Sequence, residues 1–244
     1  ALNIAEGFDL AGMGAQSVDW YHYLIESMRL GYADALQYVA DPRISHVPIE
    51  ALLSKDYSRT RGKLINARRA MPEVSYGKPV GEGDTVYITV VDGQGNACSL
   101  INSLYQSFGT GLVVPDTGIV LQNRGSLFSL DPSHPNYLEG CKRPYQTIIP
   151  GMATSNGEMW LSFGVMGGFQ QPQGHLQVIS NMVDFHMNPQ QALDNLRFSI
   201  DVQKTGVVRV EEGLDLAVMQ ELKNRGHSIL PVEGYDRYLF GGGQ

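Results

Sequence analysis

Apolar positions recur along this chain with two different periods. From Ser17 onward, Tyr21, Leu24, Ile25 and Met28 return at helical spacing. This predicts a helix with Ser17 as N-cap and Asp19 in its first turn, running past Ala35 and ending before Asp41-Pro42. A stripe of methionine and aromatic residues at that spacing is core packing. Residues 49–53 and 55–64 predict a shorter helical pair. Residues 1–14, rich in glycine and small side chains, read as a connection. Residues 67–83, polar and punctuated by glycine and proline, read as an exposed linker.

From Gly83 the period becomes two. In Gly83-Asp84-Thr85-Val86-Tyr87-Ile88-Thr89-Val90-Val91-Asp92, Val86, Ile88 and Val90 share one face, and Thr85, Tyr87, Thr89 and Val91 the other, which predicts a strand. The turn cluster Asp92-Gly93-Gln94-Gly95-Asn96 and the β-rich run 97–104 complete a hairpin with a longer loop. Residues 107–112 form a glycine-punctuated loop. It has neither the Gly-Lys-Ser/Thr ending of a phosphate loop nor a dinucleotide fingerprint, so its glycines mark a tight turn. Further strands are predicted at 118–125, just after 142–150, at 159–165 and at 207–210, with a proline-bearing surface loop at 131–140. Gly167-Gly168 breaks a strand. Helices follow near Pro172, carrying Leu176, Val178, Ile179 and Met182, and at 189–193. Another at 215–225 has Leu216, Met219 and Leu222 on one face and is stopped by Gly226. Strands, helices and strands in this order imply layered α+β packing.

Composition narrows the function classes. The chain has 244 residues, a formal charge of −7 and a pI near 5.3, and the acidic balance argues against nucleic acid. The basic clusters Arg59-Thr60-Arg61-Gly62-Lys63 and Arg68-Arg69 are short and read as solvated helix faces. Two cysteines make no disulfide framework, and Cys98, inside a predicted strand, reads as a small core residue. The six histidines show no metal-ligand spacing, so neither a metal nor a cofactor is expected. No apolar run approaches the ~20 residues that span a bilayer, and no secretory signal opens the chain. Membrane partners are therefore not expected, a homo-oligomer is allowed, and cytoplasm and periplasm remain equally open.

From Thr85 onward the chain resembles the small subunit of the γ-glutamyltransferase family, which belongs to the N-terminal-nucleophile (Ntn) hydrolases. The landmarks are Thr85 with Val90-Val91-Asp92, Gly95-Asn96-Ala97, Phe108-Gly109-Thr110-Gly111, Gly118-Ile119-Val120-Leu121, Lys142-Arg143-Pro144 and Gly167-Gly168. None is specific alone; their order and spacing are. The stretch from Leu2 to Leu10 resembles a segment late in the family's large subunit. The resemblance thus implies an αββα four-layer sandwich, here partial, without the N-terminal part of the large subunit. Residues 1–84 would be the mainly helical end of the large subunit with the processing linker, and 85–244 the catalytic small-subunit region. The remainder of the large subunit would be a partner.

The implied chemistry is amide hydrolysis or acyl transfer. Threonine is a weak nucleophile at neutral pH, but its own free α-amine titrates near ~8 and lies within reach of its hydroxyl. The amine exists only after the Asp84–Thr85 bond is cut, which in the family is autocatalytic. The resemblance further implies that Gly167 and Gly168 bind the oxyanion through backbone N–H groups and that Ser103 stands for a family threonine that hydrogen-bonds the nucleophile. Family positions that read the α-amino group of a γ-glutamyl substrate are occupied by Tyr105, Arg124 and Leu127, and the family's serine pair by Gln146 and Thr147. Leu127 cannot pair with an ammonium and Arg124 repels one, whereas Arg124 suits a carboxylate. The chain therefore resembles the acylase-like branch, acting on an acyl group that ends in a carboxylate. Two alternatives stand beside it: an ordinary γ-glutamyltransferase/glutathione hydrolase, and an uncleaved non-catalytic fragment. Val86 and Tyr87, where the family has a threonine and a histidine, speak for the last.

Overall fold

One long helix organises the chain. In the computed structural model, which describes residues 1–74, 84–202 and 205–244, α3 spans Val18–Tyr38. The Ser17 hydroxyl caps it by accepting the Trp20 N–H at 3.1 Å, worth about 1 kcal/mol. Its predicted stripe is buried: Tyr21, Leu24 and Ile25 are 0% exposed and Met28 4%, with Trp20 buried beside them, and each such side chain contributes roughly 2–3 kcal/mol. Residues 1–14 are not a plain connection. They form α1 (Leu2–Ala5) and α2 (Leu10–Met13), whose Ile4, Ala5 and Leu10 are buried. The predicted pair is present as α4 (Ile49–Leu53) and α5 (Lys55–Gly62).

Beyond the junction come β1 (Asp84–Val91), β2 (Ala97–Tyr105), β3 (Gly151–Ser155), β4 (Glu158–Phe163), α6 (Gln170–Asp184), α7 (Pro189–Asp194), β5 (Phe198–Ile200), β6 (Val208–Glu211), α8 (Leu216–Asn224) and β7 (Ile229–Val232). β1 and β2 pair antiparallel, as do β3 and β4, and a third sheet has the order β5-β6-β7. Strands β5 and β7 carry no readable alternation and are additions to the predicted set. One core joins residues from both sides of Asp84, with Trp20, Tyr21 and Leu24 packed among Tyr105, Phe198 and Leu222. No helix among the described residues is long and apolar enough to cross a membrane.

Three further expectations change. Residues 118–125 form no strand; Val120 makes an isolated bridge to Val113, and Arg124–Leu127 is a 3₁₀ turn. Residues 67–74 are not simply an exposed linker: Ala70 is buried, and its N–H reaches the Arg225 carbonyl. The rest of that segment, 75–83, lies outside the described residues. Cys98 is exposed, because it pairs with Val90 on the outward face of the hairpin. Val86, Ile88, Val90 and Leu100 share that exposed face, while Tyr87 and Ile101 face inward.

The outer edge of β5 would present unpaired backbone groups. Two glutamines of α6 take the place of a neighbouring strand. The Gln173 carboxamide accepts the Ile200 N–H at 2.6 Å and donates to the Ile200 carbonyl at 3.1 Å. Gln177 does the same to Phe198 at 2.8 and 3.1 Å. Four residues of helix rise about 6 Å and two residues of strand about 6.6 Å, so the spacings match.

Candidate active site

The register of β1 on β2 fixes the backbone around the predicted nucleophile. Asp84 stands opposite Tyr105 and Val86 opposite Asn102, with a bulge between them. Residue 85 is thereby bracketed by Ser103 and Leu104. The side chains of Asp84 and Thr85 lie outside the described residues.

Around this bulge the structure gathers Ser103, Tyr105, Arg124 and Thr147. Arg124 is only 2% exposed. It donates from Nη1 to the Ser103 carbonyl at 2.9 Å, from Nη2 to Ser103 Oγ at 3.0 Å and from Nε to Thr147 Oγ1 at 3.2 Å. Its Cζ lies 5.6 Å from the Tyr105 ring centroid, a cation–π contact. Burial pushes the guanidinium's pKa down, and the Tyr105 phenol opposes this. Tyr105, fully buried, takes a φ of +80°, a left-handed value that a tyrosine holds only where its surroundings dictate it. Its N–H donates to Ser103 Oγ at 3.0 Å. Leu127 is buried in the core beside Tyr105. Gln146, next to Thr147 in the chain, is exposed.

Gly167 and Gly168 sit just ahead of the N-cap of α6, with φ of +115° and +55°. Positive φ at both suits glycine, and a helix start directs unpaired N–H groups and a positive dipole outward. Two contacts hold this corner, one from the loop that carries Thr147 and one from α3. The Tyr145 ring stacks on Phe169 with centroids 5.7 Å apart, and the Tyr32 hydroxyl donates to the Phe169 carbonyl. Tyr145 and Phe169 were not among the sequence candidates; the only signal was the position of Tyr145 directly after Lys142-Arg143-Pro144. The loop carrying Tyr145 and Thr147 is anchored at Asp41. There Arg143 donates its N–H and guanidinium at 3.1–3.3 Å and Arg43 adds a bond of 2.6 Å. These arginines hold the Asp41 carboxyl well below the usual carboxylate range.

On the far side, β1 and β4 are joined by hydroxyls. Tyr87 Oη lies 2.8 Å from Ser99 Oγ and 3.1 Å from Ser162 Oγ, and Thr89 donates to Ser162 at 2.7 Å. A Cβ on Gly164 would meet the Tyr87 ring at 2.4 Å, so the close approach requires glycine there. His175 Nε2 accepts the Val165 N–H at 3.1 Å, fixing the chain that leads into Gly167. Elsewhere a pair of rings, His22 Nδ1 and His227 Nε2, meets at 2.7 Å, and His22 Nε2 reaches the Asn66 carbonyl at 2.7 Å. Among the described residues, no three His, Cys, Asp or Glu side chains are grouped to hold a metal.

These rings make an acid-labile feature. Burial pushes His175 down to about 4, and burial, with help from His22, Arg29 and Arg225, pushes His227 down to about 3. Unfolded histidine titrates near 6.5, so on acidification the unfolded chain takes up these protons first. Stability from the neutral rings is whole above that value and is lost as pH falls toward the folded values. For His175 alone the loss is roughly 3 kcal/mol. Thermal unfolding midpoints of the full-length protein should hold steady above about pH 7 and fall steeply between about pH 6 and 4. His175→Gln should flatten that fall; an unchanged profile would contradict the assignment.

The chain is similar throughout to known proteins. The family model described as Gamma-glutamyltranspeptidase matches residues 1–244. A Glutathione hydrolase-like YwrD proenzyme of Bacillus subtilis (strain 168) is 38% identical over 239 residues, covering 96% of this chain and 45% of the relative. The Acylase ACY 1 proenzyme of Pseudomonas sp. (strain SE83) is 32% identical over 230 residues, 94% of this chain and 40% of the relative. The solved structure of a cephalosporin acylase from Bacillus halodurans superposes with a TM-score of 0.83 at 43% identity, over 99% of this chain and 44% of that one. The chain thus spans less than half the length of these relatives. Its α+β architecture is part of an Ntn-hydrolase fold, and the chain belongs to the gamma-glutamyltranspeptidase family.

Proposed function

We propose that this chain carries the catalytic region of a self-cleaving amidohydrolase of acylase type. The carrying observation is the β1–β2 register, which sets the backbone of residue 85 against Ser103 and its buried arginine. In the precursor, the Thr85 hydroxyl attacks the Asp84 carbonyl and the acyl group moves from nitrogen to oxygen, which frees the Thr85 amine; water then cleaves the ester to an Asp84 carboxylate and the Thr85 hydroxyl. In the mature enzyme that amine accepts the hydroxyl proton as the oxygen attacks a substrate amide. Gly167 and Gly168 stabilise the resulting oxyanion. The proton then passes to the departing amine, and water cleaves the acyl-threonine ester. Cleavage divides the chain into segments 1–84 and 85–244.

The acyl pocket is formed by Tyr105, Arg124, Gln146 and Thr147. Its charge favours acyl groups ending in a carboxylate, glutaryl above γ-glutamyl, since a γ-glutamyl group brings an ammonium to a pocket whose four residues supply a cation and no acid. The relative named as an acylase supports this; the one named as glutathione hydrolase-like supports the alternative of γ-glutamyl turnover. The remainder of the large subunit is the partner, and the exposed apolar face of Val86, Ile88, Val90 and Leu100 is the surface it covers. No nucleic acid, membrane or cofactor takes part. Assay of the cleaved full-length protein on glutaryl and γ-glutamyl p-nitroanilides tests the pocket: glutaryl turnover should be faster, and faster γ-glutamyl turnover would refute the specificity.

A further inference from the structure

Arg124 is buried with its charge, yet the described residues place no carboxylate on it. Its three bonds go to Ser103 and Thr147, and the titratable group that the described residues set against it is the Tyr105 phenol of β2. Tyr105 in turn faces Tyr145, from the segment ahead of β3, and Tyr145 faces Tyr32 of α3; burial raises both and so keeps them neutral. A buried cation held by neutral groups costs stability, which calls for a use.

Two features of the geometry supply one. First, Ser103 Oγ accepts from both Tyr105 N–H and Arg124 Nη2. A hydroxyl has two lone pairs and one hydrogen, so these donors turn Ser103 into a hydrogen-bond donor. Second, Ser103 brackets residue 85 across the bulge. One strand spacing plus one hydrogen bond puts the guanidinium on the order of 8 Å from the backbone nitrogen of residue 85.

We propose that Arg124 is a positioning residue: it fixes Ser103 as a donor beside Thr85, and its charge keeps the freed Thr85 amine in the proton-accepting form. This rests on the nucleophile assignment above and goes beyond a role for Arg124 in gripping substrate. A like charge at that distance, at an effective dielectric near 20, disfavours the ammonium by on the order of one pH unit. The amine of an ordinary chain start would be largely protonated at neutral pH; here it is poised as a base.

The test is the pH dependence of kcat/KM for the full-length, self-cleaved protein, using butyryl p-nitroanilide, whose acyl chain carries no charge. Arg124→Gln should move the acidic limb upward by about one pH unit. Arg124→Lys keeps the charge and loses the fork, so its limb should stay in place while kcat falls about tenfold and KM changes little. A limb unmoved in the glutamine variant, or moved equally in both variants, would overturn the proposal. Should the glutamine variant fail to fold, the lysine variant decides alone: a limb shifted upward refutes the electrostatic role. Wild-type protein that neither splits at Asp84–Thr85 nor hydrolyses any amide removes the nucleophile assignment, and this inference falls with it. Splitting and hydrolysis without the expected limb behaviour sinks only the inference.

Discussion

Thr85→Ala in the full-length precursor should leave one uncut polypeptide and lower amide hydrolysis by about 10⁴-fold or more. One hydroxyl performs both the self-cleavage and the attack on substrate, so its loss removes the two reactions together. The oxyanion donors and substrate contacts survive, and they set the residual rate. Thr85→Ser keeps the oxygen and should split, more slowly, to an active enzyme. Gel analysis of the precursor with time and single-turnover release of p-nitroaniline report the two functions separately. An alanine variant that still splits and turns over would place the nucleophile elsewhere.

Glu211→Ala should cost about 3–5 kcal/mol. Glu211 is 5% exposed and accepts the Arg197 N–H at 2.8 Å, Nε at 3.4 Å and Nη2 at 3.1 Å. Arg197 in turn donates from Nη1 to the Phe240 and Gly241 carbonyls at 3.0 and 2.7 Å. Beyond that clamp the final residues pair with the segment leading to the two glycines: Gln244 with Gly164, and the Gly242 carbonyl with the Met166 N–H, each at 2.9 Å. The fit is tight, since a Cβ on Gly241 would lie 1.9 Å from the Met166 carbonyl oxygen. Removing the carboxylate leaves a largely covered guanidinium without its counter-charge and loosens the segment that leads into Gly167 and Gly168. Urea unfolding should report the destabilisation, with kcat falling alongside. Glu212→Ala is the control: the Glu212 side chain is 54% exposed, accepts the Gly234 N–H at a long 3.4 Å and stands 3.9 Å from Arg237, so its removal should cost under about 1 kcal/mol. Equal losses in the two variants would show the clamp to be unimportant.

The elements that sequence reading captured are those whose side chains repeat. α3 follows from Ser17 and a stripe that ends up fully buried, and the hairpin follows from the alternation around Tyr87. The elements that escaped it are held by backbone or polar groups. β5 is three residues long and is paired on its outer edge by Gln173 and Gln177, whose polarity hid the inward face of α6. Residues 118–125 carry the apolar run Ile119-Val120-Leu121, but among the described residues their backbone bonds to other segments go to the 110–114 loop and to Leu104, with Val120–Val113 as an isolated bridge. Cys98 was misjudged because alternation divides a strand into faces without saying which is covered. At the site, Ser103, Tyr105, Arg124 and Thr147 were named from resemblance, and the structure brings them together. That the guanidinium turns inward to Ser103 was not legible, because the pairing depends on Tyr105 adopting a positive φ at the end of β2. Phe169 and Tyr145 stack across more than twenty residues of sequence, a contact no local pattern announces.

The most direct measurement is the N-terminal sequence and intact mass of freshly purified full-length protein. Two fragments are expected, the smaller beginning Thr85-Val86-Tyr87 with an unblocked amine. A single intact chain, or a new terminus at any other residue, would contradict it.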